Sequence, residues 1–188
     1  MRLALLASLL LLLPACGSTP SAGDTAPAAE STPDPALDAT PWGTSVGMRA
    51  PNFELPVLSG GEGRLSLEDL RGKVVLMTFW ASWCGPCRQE VPALERHWKK
   101  LRDQDVVILG ISIDETEKAA GGFLDMFPVT YPMILDPAGG MVADVWGVSS
   151  IPATILLDKN GVVRNRHLGY SPTMLANTMR EISELLQE

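Results

Sequence analysis

Two cysteines, Cys84 and Cys87, stand two residues apart in the stretch WASWCGPCRQEVP, which runs from Trp80 to Pro92. The third cysteine of the chain, Cys16, is remote from them. Such a pair can ligate a metal, staple a fold or exchange electrons. A structural zinc site needs four ligands. The chain offers only His97 and His167 besides, seventy residues apart and in no second cluster; His97 reads as packed along a helix and His167 as lying on a surface strand. A bridge across two residues closes so small a loop that it removes little chain entropy, so it stabilises poorly. Redox chemistry is what the spacing serves best. Cys84 follows an apolar run and is expected to open a helix, where free backbone N–H groups and the helix dipole favour a thiolate. If its pKa falls from about 8.5 to about 7, the thiolate fraction at pH 7 rises roughly sixteen-fold. Nucleophilicity falls roughly five-fold over the same shift, so the net gain as attacker is only about three-fold. The larger gain is as a leaving group and in the stability of the reduced state. Cys87, one turn deeper, is placed to resolve a mixed disulfide intramolecularly.

The elements around the pair must hold it at the end of a sheet. Val74–Trp80 and Val106–Ile111 are near-continuous apolar runs, and between them Val91, Leu94, His97, Trp98 and Leu101 share one helical face. Strand, helix and strand with both strands buried predict a parallel crossover. Before this unit, Asn52–Val57 and Arg64–Leu67 alternate about a glycine-rich turn and predict a hairpin at a sheet edge, because Pro56 would disturb a central strand. Ser66 is expected to cap a helical turn through Leu70, ended by Gly72. Beyond it, a weaker helix over Glu115–Phe127 is expected to break at Gly121-Gly122. A strand over Tyr131–Leu135 and a short helix over Met141–Trp146 follow. Ala153–Leu157, the turn Asp158–Gly161 and Val162–Leu168 read as a hairpin. Ser171 caps the last helix, with Pro172 at its first position. The fold class is α/β: a central mixed β-sheet flanked by helices on both faces, with an N-terminal β-hairpin and an inserted α/β segment.

Ahead of this domain the chain changes character. Arg2 precedes eleven residues, Leu3–Leu13, in which only Ser8 is polar. That is too short to cross a bilayer, which takes roughly 20 apolar residues, and suits the apolar core of a signal peptide. Leu13-Pro14-Ala15-Cys16-Gly17 resembles a bacterial lipobox, Pro14 being its departure, so Cys16 is the expected lipidation site. Gly17–Pro41 carries five prolines and no aromatic residue; it cannot bury enough surface to order itself. The organisation is therefore a lipoprotein-type signal peptide at 1–15, a flexible tether at 16–41 and a folded domain at 42–188. Two acyl chains would anchor it stably to a membrane. The whole chain has 188 residues, 46% hydrophobic, and a net charge of −7, which excludes a basic nucleic-acid binder.

Taken together, APNFELPVLSG, LEDLRGKVVLMTFWASWCGPCRQEVPAL, GVSSIPATILLDKNGVV and Gly169 resemble the TlpA/ResA-like branch of the thioredoxin family, membrane-tethered thiol–disulfide oxidoreductases of bacteria. The resemblance spans about Ala50–Gly169. It implies a thioredoxin-like fold, with Cys84 as exposed nucleophile and Cys87 as buried resolving cysteine. Gly85-Pro86 matches the dipeptide that goes with a reducing potential. Pro92 matches the proline that kinks the active-site helix. Ile151-Pro152 matches the cis-proline loop facing the cysteines, where substrate backbone docks. By position alone Glu90 is a solvated helix-surface glutamate; the resemblance makes it the acidic residue kept beside the pair, able to tune it or move a proton. Trp83 packs beside the site, although core filler also explains it. Thioredoxin has a buried aspartate six residues before its first cysteine. That position is Thr78, which cannot titrate, so a proton relay must use Glu90 or water.

The function expected is an extracytoplasmic reductase of protein disulfides without cofactor or metal. Its partners are disulfide-containing proteins, apocytochrome c among them, and a membrane electron donor of CcdA or DsbD type. It is expected as a monomer, for no second apolar face is left over. A peroxidase is the first alternative, because APNFELP also opens peroxiredoxins; those place threonine or serine three residues before the reactive cysteine, where this chain has Ala81. A disulfide oxidase or isomerase is the second, and Gly85-Pro86 argues against it. An adaptor with idle cysteines is the non-enzymatic reading.

Overall fold

The structure, a computed structural model, describes residues 39–188. The predicted signal peptide, Cys16 and most of the tether lie outside the described residues. Among the described residues, seven strands and three α-helices follow in chain order: β1 Glu54–Ser59, β2 Arg64–Ser66, β3 Val74–Trp80, α1 Cys87–Leu101, β4 Val106–Ser112, α2 Glu117–Met126, β5 Met133–Leu135, β6 Ala153–Leu157, β7 Val163–Leu168 and α3 Pro172–Leu185. They form one sheet in the order β2-β1-β5-β4-β3-β6-β7. The crossover is parallel as predicted, with β3 and β4 in register from Val74↔Val106 to Trp80↔Ser112. β6 runs antiparallel to β3 on its other side, so the sheet is mixed. Every residue of β3 and β4 is buried, which is why these two strands read as unbroken apolar runs rather than as alternation.

The pleat divides β3 between two cores. Val75, Met77 and Phe79 face one cluster; Val74, Leu76 and Trp80 face the other. All three α-helices pack on the second, through Val91 and Leu94, Ala120 and Phe123, and Ile182 and Leu185. The first is roofed by Leu67, Leu70, Val142, Ala143 and Trp146. Helical cover on both faces is thus met on that side by two single 3₁₀ turns, Glu68–Leu70 and Pro137–Gly139. The short helix expected over Met141–Trp146 is a run of turns instead. The Asp136 carboxylate accepts the N–H groups of Met141, Val142 and Ala143 at 2.8–2.9 Å, and Gly139 enters the segment at φ +71°, a left-handed conformation that stops a helix.

The break expected at Gly121-Gly122 does not occur. α2 runs through both glycines, at a propensity cost of about 1 kcal/mol each. Its N-cap Thr116 accepts from Ala119 N at 3.3 Å, and Phe123 stacks on Trp80 and Phe127 with centroids 4.6 and 4.9 Å apart. Packing overrides propensity here. The two hairpins are present as expected. Pro56 is tolerated because β1 pairs with β5 only at Val57 and Ser59. Ser66 Oγ accepts from Asp69 N at 3.3 Å while Asp69 Oδ2 accepts from Ser66 N at 2.9 Å, a reciprocal cap on the turn that Gly72 ends. Ser171 Oγ likewise accepts from Met174 N.

Candidate active site

β3 ends at Trp80, and a tight turn follows, closed by Cys84 N–H donating to Ala81 O at 3.1 Å. Cys84 is joined to Cys87 in a disulfide, with the two Cα atoms 5.3 Å apart. Two expectations change in detail. The helix begins at Cys87 with Pro86 as N-cap, so Cys84 lies before it rather than opening it. Nor is Cys84 openly exposed: it keeps 4% of its surface, while Cys87 keeps none. An incoming thiolate can reach the Cys84 side alone. The Cys87 N–H, unused by the helix, points back to Cys84 Sγ at 3.2 Å and would stabilise negative charge there. Gly85 and Pro86 are exposed. Pro92 lies inside α1, where its missing N–H leaves one intrahelical bond unmade.

Glu90 is not the solvated glutamate its position alone suggested. It is 3% exposed and accepts a hydrogen bond from Thr78 Oγ1 at 2.7 Å. Burial pushes its carboxyl up to about 7, against the pull of the Thr78 hydrogen bond. It borders a narrow crevice shared with Leu76, Thr154, Tyr170, Met174, Leu175 and Thr178. Tyr131, fully buried, donates to Val91 O at 3.3 Å; burial, then the charges of Glu90 and Glu95, push its phenol well up, so it stays protonated. Since Cys87 and Glu90 are three residues apart on one helix, both buried, they share a face.

Trp83 is 68% exposed, so it is not core filler. Two grooves flank it. One, of about 560 Å³, is lined by Ile113, Val148, Ser149, Ser150 and Ile151. The other, of about 470 Å³, is lined by Ser82, Asp114, Glu115, Thr116 and Ala119. The Ile151-Pro152 bond is cis. Because Ala153 pairs with Phe79, Pro152 stands level with the end of β3 and beside the cysteine turn. The structure thus brings together Cys84, Cys87, Trp83, Ile151 and Pro152 at one end of the sheet, with Glu90 beneath them. His97 is half-buried and its imidazole is pushed down by burial, then by Lys100 and Arg96. Asp114, for which the sequence suggested no role, is buried at the end of β4 and binds Ser82. Its one signal was a Ser-x-Asp spacing at the carboxyl end of a parallel strand, where sites in α/β sheets gather.

Residues 46–166 match the AhpC/TSA family. The thioredoxin-like protein YneN of Bacillus subtilis is 39% identical over 145 residues, 76% of this chain and 81% of that protein. The thiol–disulfide oxidoreductase ResA of Bacillus thuringiensis is 33% identical over 124 residues, 66% of this chain and 70% of that one. The chain belongs to the AhpC/TSA family and is a ResA-type thiol–disulfide oxidoreductase. Its thioredoxin-like fold is shared with a protein of Chlorobium tepidum assigned as thiol:disulfide interchange protein DsbE, at TM-score 0.70 and 32% identity over 76% of this chain and 98% of that one. In this oxidoreductase, the Cys84–Cys87 pair stands at disulfide distance and can form the bond that such chemistry requires. Among its described residues, no helix is long and apolar enough to cross a membrane.

Proposed function

We propose that this oxidoreductase is a lipid-anchored, extracytoplasmic reductase of protein disulfides, acting as a monomer. The observation that carries it is the buried Glu90 carboxyl, which titrates near neutrality on the face of α1 that holds Cys87. In the reduced protein, the Cys84 thiolate attacks one sulfur of a substrate disulfide. That bond breaks, a mixed disulfide forms, and the first substrate thiolate leaves. Glu90 takes the Cys87 thiol proton. The Cys87 thiolate then attacks Cys84 Sγ, which releases the second substrate thiolate and closes the Cys84–Cys87 disulfide. Two electrons pass to the substrate. Trp83, Gly85, Pro86 and Ile151 form the binding surface, and the peptide backbone of the substrate docks at cis-Pro152.

An oxidising compartment cannot reset the pair, so a membrane dithiol donor of CcdA or DsbD type must reduce it. The apolar segment before Cys16 and the proline-rich tether support this placement. A tether keeps Cys84 at high effective concentration beside a membrane donor. Disulfides of apocytochrome c are the substrates favoured by the likeness to ResA and DsbE. A peroxidase reading is disfavoured because Ala81, an apolar and buried residue, stands where a hydroxyl would be needed.

The test is the reduction potential of Cys84–Cys87 in the protein equilibrated against dithiothreitol or glutathione. A value near about −270 mV, that of thioredoxin, is expected for a reductase. A value between about −120 and −180 mV, the range of oxidants and isomerases, would overturn it. Rapid consumption of hydrogen peroxide by the reduced protein would do so in favour of a peroxidase.

A further inference from the structure

We propose that Asp114 is a positioning residue of the exchange reaction, clamping the turn that presents Trp83 and Cys84 to a protein substrate. The proposal rests on Cys84 as the attacking sulfur. Asp114 lies two residues beyond β4 and is 1% exposed. Ser82 N–H donates to its Oδ2 at 3.0 Å and to Oδ1 at 3.2 Å. Ser82 Oγ donates to Oδ1 at 2.7 Å, and Ser112 Oγ donates to Oδ2 at 2.8 Å. Asp114 N–H donates back to Ser112 Oγ at 3.1 Å. Both carboxylate oxygens are therefore held, and all their donors are neutral.

Joining β3 to β4 does not require this carboxylate. The two strands already share seven registered pairs, and Ile113 N–H donates to Trp80 O at 2.9 Å just beyond them. A buried carboxylate is costly to desolvate even when hydrogen-bonded, so a neutral acceptor would join the strands at lower cost. What the carboxylate adds is a grip on Ser82, a central residue of the turn that Cys84 N–H closes on Ala81 O. The next residue is Trp83. Its indole stands out between two grooves, and Asp114 itself lines one of them. A ring held in place offers contact area without ordering cost on binding.

The test compares Asp114→Ala, Asp114→Asn and the parent, all reduced and full length. One substrate is insulin, which needs the grooves; the other is 5,5′-dithiobis(2-nitrobenzoate), a small disulfide that does not. For Asp114→Ala, kcat/KM toward insulin falls about tenfold, chiefly through KM, as expected for a misplaced contact. The rate with the small disulfide changes less than about twofold, since its attack needs no aligned groove. Asp114→Asn keeps an oxygen for Ser82 N–H and recovers most of the loss. Equal losses on both substrates, or an insulin KM unchanged in Asp114→Ala, would overturn the clamp. Mapping of iodoacetamide alkylation on the parent protein separates the underlying reading: modification of Cys87 before Cys84 overturns the proposal through the attacking sulfur. Should Asp114→Ala fail to fold, Ser82→Ala, which loses the 2.7 Å bond to Asp114 Oδ1, carries the same comparison, and an unchanged insulin KM there refutes the clamp.

Discussion

Thr78, at the centre of β3, donates its hydroxyl to the Glu90 carboxylate of α1 at 2.7 Å, with both residues buried. The bond ties β3 to the helix that carries Cys87. It gives the buried acid a partner that cannot itself take up its proton.

That arrangement makes stability depend on pH. Burial raises the Glu90 carboxyl from 4.5 to about 7. Between those values the folded state binds more protons than the unfolded chain, so stability falls as pH rises. The contribution is complete below pH 4.5 and gone above about 7, with a ceiling of about 3 kcal/mol. Glu90→Gln keeps an acceptor for Thr78 without the ionisation. It should be more stable than the parent at pH 8, by about 1–3 kcal/mol, and equal to it at pH 4. Urea unfolding at both pH values checks this; parallel behaviour would refute the raised carboxyl.

Thr78→Val removes the one hydrogen bond that lowers the Glu90 carboxyl. The Glu90 midpoint should move further up. The pH profile of disulfide exchange should shift alkaline with it, and the protein should lose about 1–3 kcal/mol from the unpaired acid. A rate profile from pH 5 to 9 measures the shift. An unmoved profile would separate Glu90 from the reaction.

Cys84 keeps a little exposure and Cys87 none, so the two serines that replace them should differ. Cys87→Ser should trap substrate in a mixed disulfide visible on a non-reducing gel. Cys84→Ser should trap none and should be inactive. Trapping by both would mean that the buried sulfur is reachable.

Trp83 and Asp136 should divide binding from stability. Trp83→Ala, on an exposed ring, should change stability by less than about 0.5 kcal/mol while raising KM for protein disulfides. Asp136→Ala strips three N–H groups of their acceptor and should cost about 2–4 kcal/mol, with the reduction potential unchanged. Thermal unfolding and steady-state kinetics on both variants decide the division.

Much of this protein was legible in one dimension. The apolar runs Val74–Trp80 and Val106–Ile111, the face of α1 and the caps Ser66 and Ser171 each follow from burial or hydrogen bonding within a few residues. The Cys84–Cys87 spacing, which lets the two sulfurs bond, is equally local. What the sequence alone misjudged depended on distant partners. Gly121-Gly122 looked like a break because the Phe123 stack on Trp80 is remote in the chain. Met141–Trp146 looked helical because the Asp136 side chain redirects its N–H groups. Glu90 looked solvated because a helix position does not say what covers it. The pairs Thr78–Glu90 and Ser82–Asp114 lie 12 and 32 residues apart. Strand register and helix docking alone bring them together, and neither is written in local periodicity. The sequence by itself therefore determined most of the elements and pointed to the cysteine pair that they carry. The tertiary structure decided which acid is buried beside them and what holds their turn, because desolvation and directed hydrogen bonds exist only once distant segments pack.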